Sequence, residues 1–168
     1  MSFNDEISKK NIQKVETIEM VKVVKFGGSS LASSQQFKKV GEIIHAEESR
    51  KYIVPSAPGK RFSDDIKVTD MLYECYTAAV KGKDYKPLLE NIKKRYYDII
   101  NELGLDLSLE KEFSIMESGF VGKAGRDYAA SRGEYLNGIV LANYLGFEFI
   151  DAAEVIFFDD NGNFDADK

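Results

Sequence analysis

Three short stretches of the chain carry side chains that could do chemistry together. The first is Lys25-Phe26-Gly27-Gly28-Ser29-Ser30. Glycines let a backbone approach a phosphate closely, and consecutive N–H groups can form an anion-binding nest. Lys25 would add a full positive charge and Ser29 a hydroxyl, with a following helix presenting its positive end. The spacing matches neither Gly-x-x-x-x-Gly-Lys-Ser/Thr nor Gly-x-Gly-x-x-Gly. A phosphate loop and a plain tight turn with an exposed lysine both fit it. The second stretch is Ser56-Ala57-Pro58-Gly59, small and hydroxyl-bearing, and open to the same two readings. The third is Ser131-Arg132-Gly133-Glu134. Ser-x-x-Glu before an apolar run reads first as a capping box. The alternative turns Glu134 into a cleft, where its carboxylate would hold a cationic group.

Other residues promise less. The chain has one cysteine, Cys75, and one histidine, His45. That excludes an internal disulfide framework, a multi-cysteine zinc or iron–sulfur site and a two-histidine metal site. Cys75 is expected on the buried face of a helix. Asp159-Asp160-Asn161-Gly162 reads as a hairpin turn, because a calcium loop centred on Gly162 would put Phe157 at its first ligand position. The 168 residues carry 23 basic and 28 acidic side chains, a net charge of −5. This acidic balance argues against nucleic acid as the main partner. The longest apolar runs are too short to span a membrane.

The elements that must position these stretches follow from periodicity. Residues 1–19 read as an amphipathic leader or tail, with Phe3, Ile7, Ile12, Val15 and Ile18 at helical intervals. A β-branched run over 21–26 predicts a strand, a helix follows with Phe37, Val40, Ile43 and Ile44 on one face, and 52–54 predicts a second strand. Strand, helix, strand in so short a span is a βαβ unit with parallel strands and a right-handed crossover. The loop after each strand then opens at the carboxyl end of the sheet, where such folds bind ligands. A helix start is expected at Val68-Thr69-Asp70, with Thr69 or Asp70 as N-cap. Two helices should end near Gly82 and at Gly104, and a shorter one should cover 109–117. Residues 118–126 read as a flexible glycine loop before a long helix. Strands are expected over 147–150 and 155–158.

In order along the chain, Val24-Lys25-Phe26-Gly27-Gly28-Ser29-Ser30, Val54-Pro55-Ser56-Ala57-Pro58-Gly59-Lys60, Val68-Thr69-Asp70-x-Leu72, Ser131-Arg132-Gly133-Glu134 and Phe149-Ile150-Asp151-Ala152 resemble the first part of an aspartate kinase, within the amino-acid-kinase superfamily. The resemblance covers residue 20 onward. It implies an α/β fold, a three-layer αβα sandwich with a mainly parallel sheet, of which 20–168 would be the N-terminal portion. The activity it implies is transfer of the γ-phosphate of ATP, with Mg2+, to the β-carboxylate of L-aspartate, the first step towards lysine, threonine and methionine.

By this resemblance Lys25 contacts the transferring phosphoryl group, and Phe26, Gly27, Gly28 and Ser29 belong to the phosphate loop. Ser56 and Thr69 line the aspartate side, and Glu134 binds the substrate ammonium. No residue is assigned to a metal. Ser29 stands where many relatives have threonine, and Pro55 before Ser56 is less usual. The family implies a cytoplasmic homo-oligomer. Most of the adenine site and the regulatory ACT domains would lie outside these residues, so the expectation is an aspartate half-site with little kinase activity alone. Two other readings remain open: a glutamate- or UMP-kinase-type relative, and a non-catalytic ligand-binding or association module.

Overall fold

A computed structural model of the chain describes residues 20–159 and 161–167. The expected leader at 1–19 lies outside the described residues. Strand β1 (Lys22–Phe26) leads through a single 3-10 turn (Gly28–Leu31) to helix α1 (Ser34–His45), and then to strand β2 (Arg50–Pro55). The two strands pair in parallel, with Val24 opposite Ile53 and Phe26 opposite Pro55. The βαβ order and its parallel pairing are therefore as expected. One part of the reading changes: no α-helix starts at the Gly-Gly-Ser stretch, because α1 begins only at Ser34.

Four helices follow: α2 (Val68–Val80), α3 (Lys86–Leu103), α4 (Glu110–Val121) and α5 (Arg126–Leu145). They make most of the core. Leu72 and Cys75 of α2 meet Ile92 and Tyr96 of α3, Phe113 and Phe120 of α4, and Leu136 and Val140 of α5 in one buried cluster. Gly104 ends α3 in the left-handed region at φ 69°, as its position after the last apolar residue predicts. Thr69 and Asp70 prove not to be N-caps: α2 begins at Val68, after Lys67, with no side-chain cap.

Two further expectations fail for packing reasons. Residues 118–121 are helical, not loop, because Gly119 serves contact and not flexibility. A Cβ there would lie 2.5 Å from the Tyr128 ring, so its absence lets α4 and α5 meet. The long helix starts at Arg126, after Gly125 at φ 113°, where the expected loop ends, and so well before Ser131. Ser131 is consequently inside the helix, its hydroxyl donating to the Tyr128 carbonyl at 2.8 Å, and the capping box does not form. Ala129, fully buried, extends the apolar stripe of Leu136 and Val140 by two turns towards the N-terminus.

Residues 147–150 are irregular instead of a strand. Their aromatic side chains are used against helices: Phe149 meets Tyr135 edge-on at 5.4 Å and Phe147 meets His45 at 6.2 Å. Val155 ends a short helix, α6 (Ala152–Val155), so only Phe157–Phe158 of the second expected strand forms. That piece, β3, pairs antiparallel with β4 (Phe164–Asp165). Asp159 caps the intervening turn by accepting from the Asn163 amide at 2.8 Å, which places a hairpin where the sequence predicts one.

The described residues form two layers, a parallel pair of strands with helices against one face. Phe26 and Ile53 pack on the helical core. On the other face Val23, Tyr52 and Val54 are 67%, 57% and 48% exposed, beside an exposed Lys25.

Candidate functional site

The carboxyl ends of β1 and β2 carry the two loops that sequence analysis singles out, and backbone bonds lock them together. The Ser56 amide donates to the Phe26 carbonyl at 2.9 Å, and the Gly59 amide to the Gly28 carbonyl at 2.8 Å. No side chain fits between them. A Cβ on Gly28 would lie 2.8 Å from the Ala57 carbonyl oxygen, and one on Gly59 would lie 2.6 Å from the Gly28 carbonyl carbon. Gly27 differs: a Cβ there meets nothing within 4 Å. So the second glycine of the pair is required by the facing loop, whatever the loop binds.

Helix α5 packs against the β2 loop. Asn137, fully buried, donates from Nδ2 to the Ser56 carbonyl at 2.7 Å. Glu134, one turn earlier, accepts from the Ala57 amide at 3.2 Å through Oε1. Gly133 makes the approach possible, since a Cβ would lie 2.7 Å from that of Ala57. The Tyr96 hydroxyl, buried on α3, donates to the Gly133 carbonyl at 2.9 Å. Burial raises the Tyr96 pKa well above the phenol value, with the Glu134 charge adding to the effect. Tyr96 is therefore a neutral donor throughout the physiological range.

The result is an open cavity of about 400 Å3, walled by Gly28, Ser29, Ser56, the Ala57–Gly59 turn, Lys60, Lys67, Thr69 and Glu134. Five of the eight candidates named from sequence line it: Gly28, Ser29, Ser56, Thr69 and Glu134. Phe26, Gly27 and Lys25 do not. Phe26 packs into the core, and Lys25 stands on the open face of the sheet. Two lysines that the sequence reading passed over, Lys60 and Lys67, join the wall. Their signal was present, since both lie in the polar loop between β2 and α2, Lys67 as its last residue. Chemically the cavity offers one carboxylate, two ammonium groups, two serine hydroxyls, one threonine hydroxyl and the N-terminal end of α2. It suits a small ligand that carries both an ammonium group and carboxylate or phosphate groups.

Cys75 lies apart, fully buried on α2, with its thiol pushed up to about 11 by burial and by the Glu117 and Glu74 charges. Such a thiol is an inert core residue and not a nucleophile. Among the described residues no group of three or more His, Cys, Asp or Glu is disposed to hold a metal ion, and no helix is long and apolar enough to cross a membrane. A second hollow of about 410 Å3, bordered by Tyr73, Glu74 and Arg126, includes none of the candidates.

No family model matches the chain. Individual relatives do. Over 141 residues it is 36% identical to aspartokinase 3 of Bacillus subtilis, a match that covers 80% of this chain and 31% of the relative. The crystal structure of the aspartate kinase of Clostridium acetobutylicum superposes with a TM-score of 0.82 at 52% identity, over 86% of this chain and 33% of that one. Aspartokinase III of Escherichia coli, solved with lysine and aspartate, matches in fold with a TM-score of 0.66 at 19% identity. The chain spans about a third of the length of the aspartokinases it matches.

Proposed function

We propose that this chain is the N-terminal part of an aspartate kinase, and that the cavity between the β1 and β2 loops is its aspartate half-site. The observation that carries the reading is the pairing of Glu134 with Ser56 and Thr69 around one cavity in a chain 52% identical to an aspartate kinase. An amino acid brings an ammonium group and two carboxylates. Glu134 takes the ammonium. Ser56 and Thr69 donate to a carboxylate, and the first-turn amides of α2 add their partial positive charge. Lys60 and Lys67 offset the net negative charge of the substrate.

Phosphoryl transfer asks mainly for alignment and charge neutralisation. Ser29 and the Gly28 backbone face the cavity and meet the incoming phosphate there. Lys25, on the open face of the sheet outside the cavity, is taken to meet the transferring phosphoryl group, so the nucleotide approaches from that face with its terminal phosphate ending at the Gly28–Ser29 edge of the cavity. ATP enters as its Mg2+ complex, a co-substrate whose adenine end is held by further kinase-domain residues that complete the third layer over the open sheet. The E. coli aspartokinase III crystallised with aspartate and ADP supports that ligand pair. The whole protein is then a cytoplasmic homo-oligomer, and these residues alone turn over little.

Calorimetry with L-aspartate on the 168-residue chain tests the half-site. Aspartate should bind, UMP and N-acetylglutamate should not, and Glu134→Ala should weaken aspartate at least 10-fold while leaving the melting temperature within a few degrees, since Glu134 is exposed. Absence of aspartate binding refutes the reading and favours an association module. The exposed Val23, Tyr52 and Val54 are the observation behind that second reading.

A further inference from the structure

Helix α3 contributes no wall to the cavity, yet one of its side chains reaches the loop that does. Arg95 is only 4% exposed, a charged group inside the molecule. Its Nη1 donates to Asp65 Oδ2 at 2.6 Å and its Nη2 to the Gly59 carbonyl at 2.5 Å. Asp65 is itself 9% exposed at the side chain and accepts three bonds from Arg61: the backbone amide at 2.9 Å, Nε at 2.8 Å and Nη2 at 2.9 Å. The Gly59 amide in turn donates to Gly28, and the Pro58 carbonyl accepts from Val68 at 3.1 Å. One guanidinium thus connects the rigid core helix, the distal part of the β2 loop and, through Gly59, the Gly28 loop.

Building such a charge into a core is costly unless the geometry it imposes is useful, because an apolar residue of similar size would serve stability as well. The planar fork of arginine can hold a carboxylate and a carbonyl at a fixed angle, which lysine cannot. Arg95 Nε has no partner among the described residues, so the contacts are concentrated on the two Nη groups that face the loop.

We infer that Arg95 is a positioning residue: with Asp65 it holds the Pro58–Gly59 turn against Gly28 and so fixes the separation of the two loops that form the cavity. The inference rests on the half-site reading for its effect on ligand, but its structural part can be tested independently. In Arg95→Lys the Gly59 and Val68 amides should exchange about 10-fold faster or more, as expected for loss of charged hydrogen bonds that close a local opening. The amides of Cys75 and Ile99, in the core, should keep their protection. L-Aspartate, titrated into the folded variant well below its unfolding temperature, should bind about 10-fold more weakly.

Unchanged exchange at Gly59 and Val68 overturns the inference. So does equal acceleration at Cys75 and Ile99, which would make Arg95 a general core brace. Equal aspartate affinity in variant and wild type overturns it too. If the wild type binds no aspartate, the half-site reading falls, and the exchange result still decides the role of Arg95. Should Arg95→Lys fail to fold, the wild-type guanidinium provides the measurement. Separate, slowly exchanging Nη resonances support the clamp, and a single averaged resonance refutes it.

Discussion

The helical half and the sheet half of this molecule differ in how they use their apolar residues. In α2 to α5 the large side chains are closed away: Tyr96, Phe113 and Phe120 are all at 1% exposure or less. In β1 and β2 no residue is fully buried, and Val23 is the most exposed of their apolar side chains. The helices form a finished core. The strands cover it on one side and offer the other side outward. The cavity lies on the seam, where the rigid half holds the loops of the half that is still open. Glu134, Arg95 and Asp65 are tolerated at that seam because each is tied to a loop backbone.

If this contrast is right, substitutions should separate into widely different magnitudes. Phe113→Ala, in the middle of α4, should cost about 3–5 kcal/mol in a urea melt. A loss under 1 kcal/mol there would mean that the helical core is loosely packed.

A smaller, pH-dependent effect is expected from the seam. The Asp65 carboxyl is held far below the usual carboxylate range, chiefly by its hydrogen bonds from Arg61, with Arg95 adding to them. A carboxylate whose pKa is depressed on folding contributes stability above its unfolded value near 4, and that stability is lost as pH falls towards the folded value. Urea midpoints of the wild type should drop steeply from about pH 4 downward, and those of Asp65→Asn should be flatter over the same interval. Parallel curves would show that the carboxylate is not selectively stabilised.

The smallest effect belongs to the open sheet. Val54→Thr should change stability by no more than about 0.5 kcal/mol, because the side chain already faces water. A loss comparable with that of Phe113→Ala would reveal that something covers this face in solution.

Periodicity made the first half of the fold legible. A β-branched strand, an amphipathic helix and a second strand have few other ways to pack, and β1 and β2 are parallel as the βαβ rule requires. It failed where residues were chosen for contact between elements. Gly119 looks like a hinge in sequence and is a packing surface for Tyr128. Phe147 and Phe149 look like strand residues and lie on helices. In the site, small hydroxyl residues after each strand pointed to Ser29 and Ser56 as neighbours, and the family resemblance added Thr69, which lines the same cavity from α2. Glu134 reached the cavity although its expected helix cap did not form. Lys25, on β1 just before the Gly-Gly-Ser loop, stands on the open face of the sheet outside the cavity, because alternate residues of a strand point to opposite sides. Arg95 was missed, although a charged residue among Ile92, Tyr96 and Ile99 stands on a face that otherwise faces inward. That conflict between charge and position was the available signal.

The burial of the single cysteine gives the protein an internal timer. A thiol with a pKa near 11 and no exposed surface reacts with an alkylating reagent only while α2 is parted from its neighbours. Alkylation rates at Cys75 therefore count openings of the helical half alone. Motions of the open sheet and of the loops above it leave that count untouched, so one atom can report when the scaffold gives way and stay silent while the site merely breathes.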